Sequence, residues 1–234
     1  MTAKLRGVRT VLLPGSGSDD DYVRRAFSVA LAGAGAILVT HRPDPGSLIA
    51  GYLEVLDEAA GHGPIAVGGV SIGAAVAVNW ALAHPRHAVA VLAALPPWTG
   101  ASGNAPAALA ARHTADQLRR TGLTETTSAM RASSPSWLAD ELERSWTAQW
   151  PQLPGAFEQA ASYPAPSRDD LEHLRVPMGI VAAVDDPIHP LEVALEWASA
   201  APHAALRTVG LAEFGPDPGR LGTQCLAALA RARL

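Results

Sequence analysis

Pro64–Ala83, PIAVGGVSIGAAVAVNWALA, is the stretch from which the rest of the chain can be read. An apolar run from Ile65 to Val70 reaches Gly69-Val70-Ser71-Ile72-Gly73 and passes directly into an Ala/Val segment patterned for a buried helix. That order is strand, sharp turn, helix. Glycine on both sides of Ser71 has a steric reason there, because the serine backbone must take up a strained turn and a neighbouring side chain would strike the strand or the helix. Such a turn lifts the serine hydroxyl clear of the sheet. It also puts Ser71 at a helix N-terminus, where unpaired amides and the helix dipole favour developing negative charge, so that the Ile72 amide is a candidate oxyanion donor. G-x-S-x-G alone is a short pattern in a chain with 21 glycines, and it is the flanking strand and helix that give it meaning.

Upstream, Arg9 to Leu13 reads as a short strand ending in Pro14-Gly15-Ser16-Gly17-Ser18, a turn whose glycines let backbone amides face a ligand. Asp19 to Asp21 then start a helix through about Ala32, Gly35 to Thr40 is the next strand, and a helix runs from Ser47 to about Ala60. Downstream, Ala88 to Leu95 is a strand, and from Pro96 the composition changes to Gly/Ala/Pro and then to helical segments lasting until about Leu174. Four of the six tryptophans fall between Trp98 and Trp150, which suits either an apolar pocket wall or helix packing. Val176 to Val184 resumes the strand pattern and delivers Asp185-Asp186-Pro187-Ile188-His189-Pro190. A helix at Leu191–Ala200, a strand at Ala205–Val209 and a helix at Gly222–Leu234 follow. This alternation predicts a mostly parallel sheet with helices on both faces, a helical insertion over the strand ends, and a site at the carboxyl edge where Ser71 lies.

The bulk numbers set limits. At 234 residues with 48% hydrophobic and 17% charged, the chain suits one soluble domain, and a net charge of −4 gives no footprint for nucleic acid or an anionic membrane. Lys4 is the only lysine, which reads as base composition and not as a binding surface. The single cysteine, Cys225, cannot form an internal disulfide and reads as a buried thiol, in keeping with a cytoplasmic location. The N-terminus is too short and polar for a signal peptide, and no apolar run is long enough to span a bilayer. No metal or cofactor is expected, since no His/carboxylate cluster has ligand spacing and Pro14–Ser18 lacks the lysine of a P-loop. The expected partner is a small-molecule acyl substrate or ligand, and oligomeric state is not readable.

Taken together these residues resemble the α/β-hydrolase superfamily over nearly the whole chain. Gly69–Gly73 is similar to its nucleophile elbow, Pro14–Gly17 to its oxyanion loop, and Ala183-Val184-Asp185-Asp186 with Pro190 to its acid loop. The resemblance implies a core of residues 1–96 and 175–234, lacking much of the family's N-terminal antiparallel pair, and a helical cap at 97–174. It implies Ser71 as nucleophile, Asp186 as acid, and the Ser16 and Ile72 amides as oxyanion hole, with Gly15 and Trp98 at the substrate pocket. Pro14 stands where many members have histidine, which leaves the backbone donors intact.

The departure concerns the base. Serine attacks poorly unless a positioned histidine takes its proton, and in this family that histidine follows the last strand. Here the stretch is Val209-Gly210-Leu211-Ala212-Glu213-Phe214-Gly215, and no histidine follows His203. His62, His84, His87, His173 and His203 belong at the edge away from the site. His189, His41 and His113 remain, with Glu213 as a carboxylate alternative; His189 also reads as a helix-start residue held by its loop, and Asp185 as a solvated neighbour of Asp186. Three functions stay open: a serine hydrolase of esterase or thioesterase type, a non-catalytic binding protein that has lost the base, and a lyase or cyclase on the same scaffold.

Overall fold

The computed structural model describes residues 5–232, so Lys4 and the expected end of the last helix at Leu234 lie outside it. Its strands are β1 (Arg9–Leu13), β2 (Ile37–Thr40), β3 (Ile65–Val70), β4 (Ala88–Ala94), β5 (Met178–Ala183) and β6 (Ala204–Val209). Every neighbouring pair is parallel, in the order β2-β1-β3-β4-β5-β6. The chain therefore leaves β1 toward one edge and returns to its other side as β3. Such a reversal opens a crevice at the carboxyl ends of the two strands, which is where open α/β sheets bind ligands.

Three helices connect the first four strands: α1 (Asp20–Gly33), α2 (Leu48–Ala60) and α3 (Ile72–Ala83). Between β4 and β5 the chain makes its long helical excursion through α4 (Pro106–Ser133, broken at Gly122), α5 (Ser136–Gln149), α6 (Leu153–Ser162) and α7 (Arg168–Glu172). The sheet is not interrupted by it, since Val91 pairs with Met178 and Ala94 with Val181. Helices α8 (Leu191–Ala200), α9 (Leu211–Phe214) and α10 (Gly219–Leu229) complete the order. The last helix starts at Gly219 rather than Gly222, its first turn closed by the Leu221 amide on the Pro218 carbonyl at 3.0 Å, and the short α9 has no period long enough to be read from sequence.

Side-chain alternation divides the sheet into two apolar faces. Val11, Leu13, Val67, Val91, Ala93, Ile180 and Ala182 face a cluster built with α2, α3 and α8, and Trp98, Trp146 and Phe157 belong to that same cluster. Leu12, Ala66, Leu92, Ala94, Val181 and Ala183 face α1 and α10, where Cys225 is fully buried with its Sγ on the Gly179 carbonyl at 3.2 Å. Each fully buried Leu or Val contributes about 1.5–3 kcal/mol relative to exposure. The excursion is thus joined by packing to the α2/α3 side of the core.

Polar contacts also hold it there. Asp19, the N-cap of α1, accepts from the Tyr22 amide at 3.0 Å and from Arg144 of α5 at 2.5 and 2.9 Å. Burial works to raise the Asp19 pKa, but the Arg144 hydrogen bond, the Tyr22 amide and the neighbouring guanidinium charges outweigh it and leave it below the ordinary value. A depressed folded-state pKa stabilises above the unfolded value and ceases to do so as pH falls through the folded one. Asp19→Asn keeps an N-cap acceptor and removes the charge. It is expected to lower stability by about 1 kcal/mol at pH 7, a modest figure because Arg144 is well exposed to screening water. In thermal melts the gap between variant and wild type should close as pH is taken below about 4.

Candidate functional site

Ser71 sits between β3 and α3 at φ 54°, ψ −120°, a conformation that L-residues avoid and that costs about 1–3 kcal/mol unless the surroundings enforce it. The surroundings do so through glycine. A Cβ on Gly69 would lie 2.4 Å from the Leu13 carbonyl oxygen, and one on Gly73 2.3 Å from that same oxygen and 2.6 Å from the Pro14 oxygen. Both glycines are therefore required by the end of β1 pressed against the turn. The Ser71 amide donates to the Ala94 carbonyl at 2.9 Å, and Leu95, the other non-glycine residue at positive φ among those described, continues β4 by donating to Val181 at 2.8 Å.

The loop between β5 and α8 reaches the same place. His189 lies with Nδ1 2.9 Å from Asp186 Oδ2 and Nε2 2.9 Å from Ser71 Oγ. A carboxylate only accepts, so Nδ1 carries a proton toward Asp186, and in the tautomer that leaves Nε2 bare that atom accepts from the Ser71 hydroxyl. Asp186 Oδ1 is held by the Ile188 amide at 2.8 Å. Burial pushes the Asp186 pKa up, yet the hydrogen bond and charge of His189 with the amides of Ile188 and His189 bring it below the usual value. Asp186 is thus an anion facing one nitrogen of an imidazole whose other nitrogen touches a serine hydroxyl.

On the opposite side of Ser71 lies the turn after β1. The Ser18 amide donates to the Gly15 carbonyl at 3.1 Å, and Gly17 has φ 73°, the positive φ that a type II turn needs at its third position. Gly15 lies directly against Ser71, since a Cβ on it would come 3.5 Å from the Ser71 Cβ. Ser16 is the second residue of this turn, and Ile72 is the first of α3, where the amide has no acceptor within the helix. Trp98 is buried just beyond β4; its carbonyl accepts from Trp197 Nε1 at 3.2 Å and its own Nε1 has no partner.

The remaining candidates are placed elsewhere. His41 stands edge-on to Tyr52 at 6.5 Å between ring centroids, with a buried and unpartnered Nε2, and His113 is exposed on α4. Glu213 caps α9, accepting from the Gly210 amide at 3.3 Å. Phe214 is buried against Trp137 of α5 at 5.6 Å, so two aromatic rings pack where a histidine after the last strand was sought. Asp185, read from sequence as merely solvated, accepts from the Leu211 amide at 2.8 Å and fastens the loop to α9. Among the described residues no group of three or more His, Cys, Asp or Glu is placed to hold a metal ion, and no helix is long and apolar enough to cross a membrane.

Sequence reasoning passed over the residues that grip the turn after β1. Tyr52 of α2 donates to the Pro14 carbonyl at 3.0 Å, Ser145 of α5 to the Gly17 carbonyl at 2.7 Å, and Gln149 to the Ser18 carbonyl at 3.0 Å. The i, i+4 spacing of Ser145 and Gln149 puts both on one helix face, which was the only signal available.

Comparison with known proteins agrees with this architecture. A family model described as the alpha/beta hydrolase family matches residues 3–215. Among solved structures, Rv0554 from Mycobacterium tuberculosis superposes with a TM-score of 0.70 at 19% identity, covering 97% of this chain and 92% of that one. A thermophilic esterase from Thermogutta terrifontis gives 0.71 at 17% identity with 97% and 90% covered, and olei00960, a hydrolase from Oleispira antarctica, gives 0.70 at 17% with 97% and 93%. No curated protein sequence matches the chain.

Proposed function

The chain belongs to the alpha/beta hydrolase family, and on that footing we propose that it is a serine hydrolase cleaving an ester, thioester or related acyl compound of small to medium size and apolar character. The observation that carries this is the 2.9 Å contact between His189 Nε2 and Ser71 Oγ, with Asp186 on the other ring nitrogen. The base comes from the same loop as the acid. The binding-protein reading drew on the vacant place after β6 and the lyase reading on the scaffold alone, and the His189 contact favours the hydrolase over both.

In this mechanism Ser71 Oγ attacks the acyl carbonyl while its proton passes to His189 Nε2, and Asp186 steadies the imidazolium. The carbonyl oxygen becomes an oxyanion between the Ser16 and Ile72 amides, which are fixed in place before reaction and need no reorganisation. Collapse breaks the bond to the leaving alkoxide or thiolate, which takes the proton from His189 and leaves an acyl-Ser71 ester. Water, deprotonated by His189, repeats the sequence in reverse and frees the acid. The apolar rings of Trp98, Trp146 and Phe157 in the adjoining cluster favour an apolar acyl chain. The esterase and hydrolase named among the structural neighbours are consistent with such chemistry.

A fluorophosphonate probe tests the proposal. Purified protein is expected to gain one phosphonyl group, and peptide mapping should place it on the fragment containing Ser71. Protein that stays unlabelled under conditions that modify a known serine hydrolase would remove the proposal, because Ser71 would then lack activation.

A further inference from the structure

The turn that supplies the Ser16 amide is held by more than its own segment. Pro14 is tied from below by Tyr52, whose fully buried phenol is pushed up by burial and remains a donor. From above, α5 bonds two successive carbonyls of the turn. The Ser145 hydroxyl, fully buried, donates to the Gly17 oxygen at 2.7 Å, while Gln149 Nε2 donates to the Ser18 oxygen at 3.0 Å and to Ser145 Oγ at 2.9 Å. Between them on the same helix, Trp146 covers Gly17 so closely that a Cβ there would come 2.8 Å from its Nε1. A fixed Gly17 carbonyl fixes the plane of the peptide it shares with the Ser18 N–H, and that N–H is the one donated to Gly15. The turn's internal bond, Ser18 amide to Gly15 carbonyl, therefore passes the hold of α5 on to the Ser16 N–H, which lies in the Gly15 carbonyl's peptide plane.

We propose that Ser145 and Gln149 are positioning residues that aim the oxyanion loop, so that the cap takes part in stabilising the transition state instead of only covering the pocket. The inference rests on the serine hydrolase reading above. Oxyanion donors act through placement, and displacement by about 1 Å can cost on the order of 100-fold in rate. A cap held this way cannot lift away as a body without releasing the loop.

The test uses the full chain with Ser145→Ala and Gln149→Met, singly and together; both substitutions keep approximate volume and remove the donor. Asn79→Ala serves as the comparator, because Asn79 ties the cap to α3 through Tyr163 at 3.1 Å and the Pro164 carbonyl at 2.9 Å without touching the loop. With an activated ester, the double variant is expected to lose roughly 30-fold in kcat with KM within about twofold. Affinity for a trifluoromethyl ketone, which forms a tetrahedral oxyanion on serine, should weaken by the same factor. Asn79→Ala is expected to melt earlier with kcat unchanged. Wild-type turnover together with unchanged kcat and ketone affinity in the double variant would overturn this inference alone, as would a kcat loss in Asn79→Ala of equal size for an equal drop in melting temperature. A wild type that neither turns over nor labels would overturn the hydrolase reading and this inference with it.

Discussion

Ser71→Ala and His189→Ala are each expected to lower kcat by about 10⁴- to 10⁶-fold, and the double variant is expected to be no worse than either. The two side chains form one device: without the imidazole the hydroxyl is not a nucleophile, and without the hydroxyl the imidazole has no proton to move. Their losses should therefore overlap instead of adding. On the proposed mechanism, what survives is the share of the Ser16 and Ile72 amides and of substrate binding, which neither substitution touches. Asp186→Asn belongs with this pair. An amide can donate its own N–H to His189 Nδ1 and turn the ring to the tautomer with Nε2 protonated, at a cost of about 10⁴-fold. Steady-state kinetics on an activated ester, checked against phosphonylation rates, measures all three. A His189→Ala protein retaining more than about a tenth of wild-type kcat would show that the base lies elsewhere, despite the 2.9 Å contact.

Gly73→Ala carries the second large effect, and it acts on the fold before it acts on chemistry. The added carbon would sit 2.3 Å from the Leu13 oxygen, 2.7 Å from the Leu13 carbonyl carbon and 2.6 Å from the Pro14 oxygen. None of these is a flexible side-chain tip. Leu13 ends a strand paired to β3, so relief would require pulling β1 off its neighbour or unseating α3. A loss of about 3 kcal/mol or more is expected, which for a chain of this size lowers the melting temperature by roughly 6–12 °C. Gly33→Ala is the contrast: nothing lies within 4 Å of its added carbon at the end of α1, and it should be neutral or gain up to about 1 kcal/mol. Equal melting temperatures for the two variants would show that the close approach of β1 to the turn is not what demands glycine.

The difference between these glycines explains what could be read before the structure was known. Gly69-Val70-Ser71-Ile72-Gly73 betrays itself because its constraint is local: strand, positive φ and helix follow within a few residues, and the spacing records the clash. Asp186 was legible for a similar reason, as it follows a buried strand in an acidic loop that resembles a family pattern. His189 was only one candidate among several, because its meeting with Ser71 depends on β5 lying beside β4 and β4 beside β3. Hydrophobic period does not encode that order. Phe214 or Glu213 could be seen to stand in the expected histidine's place, but not that Trp137 would fill the space beside Phe214. Ser145 and Gln149 were invisible, since a serine and a glutamine on an amphipathic helix look the same whether they meet water or the carbonyls of a turn far away in sequence.

Asp186 and His189 stand three residues apart in one loop, each hydrogen-bonded within it. When acid and base follow different strands, thermal breathing of the sheet stretches the link between them. Here β6 is an edge strand, the element most prone to fraying as temperature rises. Those excursions reach the loop through Asp185, which is bonded to the Leu211 amide, whereas the Asp186–His189 contact lies wholly within the loop at the end of interior strand β5. That loop is short and brings its own acid and base into register, and its tie to the segment after β6 runs through Asp185 and not through the couple itself.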